Sequence, residues 1–265
     1  MNAENIAYTN LGLSLHQDLV YYESPPGLQL LHCLEFGADV RGGEHVLLDG
    51  FRVAELLKQQ DAASFAALVE IPAKFQKIHL DRVHPARMVY CRPHISVNSN
   101  GQITQFTWAP PFEGPLPIAH GDVPERYYRA YAALAGLIER EAATEAQAEI
   151  ALTPGDVVTF NNRRMLHGRK AFYRGGHAHG RPQGVEGEAD DNSGDREQRP
   201  HCGGGGGGGG GGSADGQLSR HLQGVYVNID EFKNKHDVLS HMLNRRGATT
   251  KGQKGFHVGN QDSAA

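Results

Sequence analysis

The sequence predicts a β-rich sandwich or jelly roll with helices packed outside. Short apolar or loosely alternating runs recur along the chain, turn signals of Pro, Gly, Asn and Asp separate them, and only a few segments carry a 3.6-residue period. The chain has 265 residues, a formal charge of -4 and 39% hydrophobic residues. That suits one globular domain, or one domain with an appendage. Charge so close to neutral argues against a nucleic-acid or anionic-membrane surface, so no nucleic acid and no membrane are expected as partners. No apolar run approaches the roughly 20 residues of a membrane span. Cys33, Cys91 and Cys202 are odd in number and widely spaced, and read as reduced thiols of an intracellular protein.

The elements follow in order. Leu13 to Asp18 is an extended segment. Gly27 to Leu34, an apolar run after Pro25-Pro26-Gly27, reads as a buried strand. Val46 to Leu48 is another, ending at Asp49-Gly50. Asp49 caps a helix that begins near Phe51 and carries Ala54 and Leu57; the break at Gln59-Gln60-Asp61 makes Phe65, Leu68 and Val69 part of a second short helix. Runs around Met88 to Tyr90 and Ile103 to Trp108 are strands, with a hairpin turn at Asn98-Ser99-Asn100-Gly101. Two proline clusters, at 110–111 and 115–117, mark a loop. Asp122-Val123-Pro124-Glu125 has the form of a capped helix start, and Tyr127, Tyr131, Leu134 and Ile138 follow at helical spacing as core residues. Thr153-Pro154-Gly155-Asp156 turns into the strand Val157 to Phe160. The last strand is expected at Leu222 to Ile229, followed by a helix through Val238, Leu239 and Met242.

Residues 175–216 differ in kind. They hold ten consecutive glycines, Gly203 to Gly212, amid charged and small residues. Such a stretch buries too little apolar surface to offset its ordering entropy, and a disordered insertion is expected, with a disordered tail over 248–265. His177, His179, His201 and Cys202 fall within it and read as a solvated loop.

The chemistry begins at Leu13-Ser14-Leu15-His16-Gln17-Asp18. His-x-Asp on an extended segment points both side chains to one face, because the strand period is two. Such a pair offers a divalent metal one nitrogen and one oxygen. A second histidine completes the two-His-one-carboxylate triad that leaves open positions on Fe(II). Pro154 to Arg169 supplies it: a strand ends at an Asn-rich turn and His167 emerges seven residues after Phe160. A triad spanning 149 residues from Asp18 to His167 is what a closed β-roll brings together. Downstream, Arg220 enters a strand, where a guanidinium can hold a carboxylate by two parallel hydrogen bonds.

HxD, GLQLLHC, GGxxxLLDGF, PGDVVTFNNxRxLHGR and SRHLxGxY, in this order, resemble the gamma-butyrobetaine dioxygenase and trimethyllysine dioxygenase family. These are taurine dioxygenase-like oxygenases that depend on 2-oxoglutarate and Fe(II). The resemblance covers most of residues 3–174 and 217–245. It implies a mainly β fold with flanking helices, a double-stranded β-helix, with 1–174 and 217–247 forming the oxygenase domain. It implies that His16, Asp18 and His167 ligate Fe(II), that Arg220, Asn5 and Leu31 hold 2-oxoglutarate, and that Tyr8 and Tyr226 face the substrate's trimethylammonium. A quaternary ammonium has no proton to donate, so aromatic faces are its natural hosts.

O2 is the other co-substrate implied; ascorbate as an accessory reductant and a homodimer are compatible with the family. The implied activity is hydroxylation of a small trimethylammonium compound, gamma-butyrobetaine to carnitine in the first instance. The alternatives are trimethyllysine or another small substrate, or an inactive jelly-roll fragment acting as a binding module. The sequence departs from the family pattern in three places. His167 and Arg220 are 53 residues apart where relatives have a compact spacing, Leu19 stands where gamma-butyrobetaine dioxygenase has a tyrosine, and the segment from Thr107 to Pro111 differs. With so little chain before His16, an N-terminally truncated domain is expected, cytoplasmic or mitochondrial.

Overall fold

The computed structural model describes residues 9–81, 84–118, 120–175 and 220–248. Along the chain lie β1 (Leu13–His16), β2 (Leu28–Phe36), β3 (Val40–Gly42), β4 (His45–Asp49), α1 (Gly50–Gln60) and α2 (Ala62–Glu70). Next come β5 (Ala73–His79), β6 (Ala86–Arg92), β7 (Ile95–Val97), β8 (Ile103–Phe106) and a 3₁₀ turn at Pro110–Phe112. The rest is α3 (Val123–Ala142), β9 (Gln147–Ile150), β10 (Val157–Asn161), β11 (Met165–Arg169), β12 (Phe172–Arg174), β13 (Arg220–Val227) and α4 (Ile229–Ala248). The expected class holds: mainly β, a jelly roll with flanking helices.

Two antiparallel sheets carry the architecture. The larger has the order β1-β11-β4-β9, the smaller β10-β2-β13, and in both most neighbours are distant in sequence. β5–β6 and β7–β8 are hairpins, and β3 pairs with β12. Alternation along β4 and β11 divides the larger sheet's two faces. Leu48 and Leu166 point into a dry core shared with Val53, Leu57, Leu68, Phe106, Leu134 and Leu137 from the helices and β8. Each such side chain contributes about 1.5–3 kcal/mol by leaving water. His45, Leu47, His167 and Arg169 occupy the opposite face, toward the smaller sheet. One face of the sheet therefore makes the core while the other makes the site.

Local signals account for most element ends. Asp49 caps α1, its carboxylate accepting from the Phe51 amide at 3.0 Å. Asp61 breaks the helical run as expected: it closes α1 and opens α2, accepting from the Ser64 amide at 3.0 Å and the Ser64 hydroxyl at 2.6 Å. Asn98 folds the β7–β8 turn by accepting from the amides of Asn100 and Gln102. Tyr127, Leu134 and Ile138 are buried on α3, with Tyr131 packed beside them.

Two expectations need correction. Asp122 does not cap α3 through its side chain. Its own backbone is already helical, at φ -87 and ψ -2, so the carboxylate is not presented to the following amides. The final strand is Arg220–Val227 rather than Leu222–Ile229, because pairing with β2 continues from Leu28 up to Phe36 and takes in Arg220. Gly175, where the composition changes, still donates to the Asp39 carbonyl at 2.6 Å, and α4 runs to Ala248. Among the described residues Cys33 and Cys91 are free thiols, and no helix is long and apolar enough to cross a membrane. Cys202, His177, His179 and His201 lie outside the described residues.

Candidate metal centre

His16 ends β1 and stands opposite His167 of β11, with their ring centroids 4.4 Å apart. The two strands can approach this closely because Gly168 has no side chain. Ser14 fixes the His16 tautomer: its carbonyl accepts from Nδ1 at 2.7 Å, so in the neutral ring Nε2 carries the lone pair.

Asp18 is held by its backbone. Asn162, in the turn between β10 and β11, accepts from the Asp18 amide at 3.1 Å and donates to the Asp18 carbonyl at 2.9 Å. Gln17 locks the same segment from behind. It is 1% exposed, donates to the Asn162 carbonyl at 2.7 Å and accepts from the Trp108 amide at 3.0 Å. The residue after the pair, Leu19, sits at φ +58, a left-handed conformation that turns the chain out of the strand.

The three predicted ligands converge. His16 Nε2 lies 3.5 Å from Asp18 Oδ1, His167 Nε2 lies 3.6 Å from Asp18 Oδ2, and one ligand atom from each residue falls within 4.8 Å of the others. Burial works against the Asp18 charge, but hydrogen bonds and charge from His16 and His167 outweigh it and hold the carboxyl far below the usual range. Two imidazoles and an ionised carboxylate facing one point, with His16 Nδ1 already engaged by Ser14, fit a divalent first-row cation, which would displace any proton on the facing nitrogens.

The smaller sheet forms the opposite wall. Phe160, Gln29 and Tyr226 are register partners across β10, β2 and β13. Phe160 packs on the His167 ring, with centroids 5.0 Å apart. Gln29 Nε2 donates to Asp18 Oδ2 at 2.8 Å, and the Tyr226 hydroxyl donates to the same oxygen at 2.7 Å. Leu31 lies two residues beyond Gln29 on the same face of β2, half-buried and beside Gly224.

Farther along this gap stands Arg220. Its Nη2 donates to the Gly43 carbonyl at 2.9 Å and to His45 Nε2 at 3.3 Å, and its guanidinium lies over the Phe172 ring at 5.1 Å. A guanidinium only donates, so His45 accepts with a bare nitrogen and is neutral. Burial and then the Arg220 charge push the His45 pKa down to about 4. Burial and the neighbouring Arg169 push Arg220 itself down to about 10. Among the described residues no carboxylate lies within ion-pair distance of Arg220, and its Nε is buried with no hydrogen-bond partner. An anion with two oxygens would complete it. The other nearby arginines are engaged: Arg169 donates to the Thr9 and Leu11 carbonyls, and Arg174 pairs with Asp39.

A family model described as taurine catabolism dioxygenase TauD, TfdA family matches residues 1–181. The chain belongs to this family. Three curated relatives of this TauD/TfdA chain give the comparison. It is 39% identical over 171 residues to dioxygenase str8 of Strobilurus tenacellus, covering 64% of this chain and 38% of that protein. It is 33% identical over 183 residues to human gamma-butyrobetaine dioxygenase, covering 66% and 44%. It is 30% identical over 167 residues to the mitochondrial trimethyllysine dioxygenase of Gallus gallus, covering 63% and 39%. The TauD/TfdA chain thus spans about two fifths of the length of these relatives.

Of the predicted site residues in this TauD/TfdA chain, His16, Asp18 and His167 come together, with Tyr226 and Leu31 on the smaller sheet and Arg220 at the start of β13 against Gly43 and His45. Asn5 and Tyr8 lie outside the described residues. Three participants were not singled out in advance: Gln29, His45 and Asn162. Gln29 had a visible signal, since it is the lone amide in the apolar run Gly27 to Leu31. His45 and Asn162 had none, because each acts on a residue more than 140 positions away.

Proposed function

We propose that this chain carries the catalytic centre of a 2-oxoglutarate- and Fe(II)-dependent dioxygenase that hydroxylates a small trimethylammonium compound. The observation that carries the reading is the convergence of His16, Asp18 and His167, together with a half-buried arginine, Arg220, that has no carboxylate within ion-pair distance among the described residues. His16, Asp18 and His167 would hold the iron, and Arg220 the distal carboxylate of 2-oxoglutarate. When bound, iron, 2-oxoglutarate and O2 supply the oxidising chemistry, in which the co-substrate loses CO2 to become succinate and a substrate C–H becomes C–OH. The protein's own part is placement. Gly43 and His45 orient the Arg220 fork, and Leu31 would pack against the co-substrate. Phe160 keeps the His167 ring dry. Tyr226 is 41% exposed, and its ring would offer an aromatic surface to a cationic head.

Gamma-butyrobetaine is the first substrate to test, on the strength of the relatives that carry its name. The relative matched at 39% identity has no substrate in its name. Trimethyllysine, taurine and unmethylated lysine therefore belong in the same assay. The expected result is Fe(II)-dependent consumption of 2-oxoglutarate, lost in His167→Ala and coupled best to a trimethylammonium compound. Undiminished turnover in His167→Ala would overturn the metal assignment. Preferred hydroxylation of taurine would overturn the substrate class alone.

A further inference from the structure

Gln29 and Tyr226 face each other as cross-strand partners on β2 and β13, and their donors meet on one atom. Both hydrogen bonds end on Asp18 Oδ2, at 2.8 and 2.7 Å, whereas neither reaches Oδ1. Gln29 is 2% exposed, so its amide is not available to water and its orientation is set by this contact. The resemblance assigns Tyr226 a role through its ring; the hydroxyl, a separate part of the side chain, points at the carboxylate instead. Groups that hydrogen-bond a metal ligand set its orientation and basicity, and their loss commonly weakens metal binding 10–100-fold.

We infer that Gln29 and Tyr226 are positioning residues for Asp18, capping Oδ2 from the smaller sheet and leaving Oδ1 to the cation. The inference rests on the metal-centre reading above. It adds a consequence: the hydroxyl and the ring of Tyr226 serve different partners, and β13 takes part in building the metal site as well as the anion site.

The test uses Co(II) as the probe, titrated calorimetrically into this chain under nitrogen, with the visible absorption of the bound ion recorded. Tyr226→Phe keeps the ring and removes the hydroxyl. Gln29→Met keeps the shape and removes the amide. Each is expected to weaken Co(II) binding about ten-fold and to change the intensity of the Co(II) visible bands. Tyr226→Phe should leave the metal-free chain folded, with a cooperative melting transition. Wild-type affinity and spectrum in Tyr226→Phe overturn the inference, and that variant decides even where Gln29→Met fails to fold. His167→Ala separates this from failure of the underlying reading: if it binds Co(II) like the wild type, there is no triad site for Asp18 to serve.

Discussion

Gly168 and Leu13 approach so closely that a Cβ on Gly168 would lie 2.6 Å from the Leu13 carbonyl oxygen. No side chain fits there, so β1 rests directly on β11 and carries His16 onto His167. Gly168→Ala is expected to lift β1, cost about 1–3 kcal/mol in urea unfolding and weaken Co(II) binding at least several-fold. Gly101→Ala is the control. Its Cβ meets nothing within 4 Å but its φ is +73, so it should cost about 1 kcal/mol in backbone strain and leave Co(II) affinity unchanged. Equal metal affinity in the two variants would contradict the role given to Gly168.

Arg220 is cradled in the same way. Gly43 has φ +81, and a Cβ there would come 2.9 Å from Arg220 Nε. Gly43→Ala should displace the guanidinium and raise the KM for 2-oxoglutarate with little change in Co(II) affinity. Arg220→Ala removes a charge-assisted pair and should weaken co-substrate binding by about 1.5–3 kcal/mol. Steady-state titration of 2-oxoglutarate in both variants checks this, and an unchanged KM in Arg220→Ala would move the anchor elsewhere.

Two buried groups outside the site titrate in opposing senses. His94 is 0% exposed, bonded to the Thr107 carbonyl at 2.8 Å and the Tyr127 hydroxyl at 2.9 Å, and burial lowers its pKa to about 4. Glu113 is raised by burial to about 7, against a hydrogen bond from Tyr131. From pH 6.5 down to about 4, the unfolded chain binds a proton that His94 refuses, so stability falls with acid. Between pH 4.5 and about 7 the folded chain holds an extra proton on Glu113, so stability falls as pH rises. His45 acts in the same sense as His94. Glu113→Gln should therefore steepen the loss of stability on acidification from pH 6.5 to 4.5, and His94→Gln should flatten or reverse it. Each change is on the order of 1–3 kcal/mol across the window. Parallel pH profiles for the three proteins would refute the assignment.

Asp49 does two jobs at the start of α1. It caps the helix and forms a two-point pair with Arg164, at 3.0 Å through Nε and 2.6 Å through Nη2. Arg164 is half-exposed, so Arg164→Ala should cost no more than about 1 kcal/mol. Asp49→Ala loses the cap as well and should cost about 2 kcal/mol. Chemical denaturation of both variants gives the comparison.

Residues 175–216 hold ten consecutive glycines amid charged and small residues, a composition expected to be dispensable to the core. Deleting residues 176–216 should leave the melting temperature and Co(II) affinity within error. A large loss of stability would show that the segment packs against the domain.

Legibility in the sequence followed the range of the interactions. Asp49, Asp61 and Asn98 act on amides two to four residues away, so α1, α2 and the β7–β8 turn could be placed from local signals. The triad was legible for another reason: a two-histidine, one-carboxylate set is chemically distinctive, and the neighbouring motifs resemble a known family. What stayed hidden depends on register. Whether the Tyr226 hydroxyl meets Asp18, or His45 meets Arg220, is decided by which residues pair across β2–β13 and β4–β11, and no local pattern encodes it. Asp122 shows the reverse error, where a suitable side chain sits on a backbone that turns it away.

The pairing of β1 with β11 also has a consequence in time. His16 leaves the ribosome 151 residues ahead of its partner His167, a delay on the order of ten seconds at ordinary rates of synthesis. Until then His16 and Asp18 are two weak ligands on an unpaired edge, and Arg220 follows later still. The three ligands therefore come together only once β11 pairs with β1, and a nascent chain that lacks β11 has no complete triad to offer a cation.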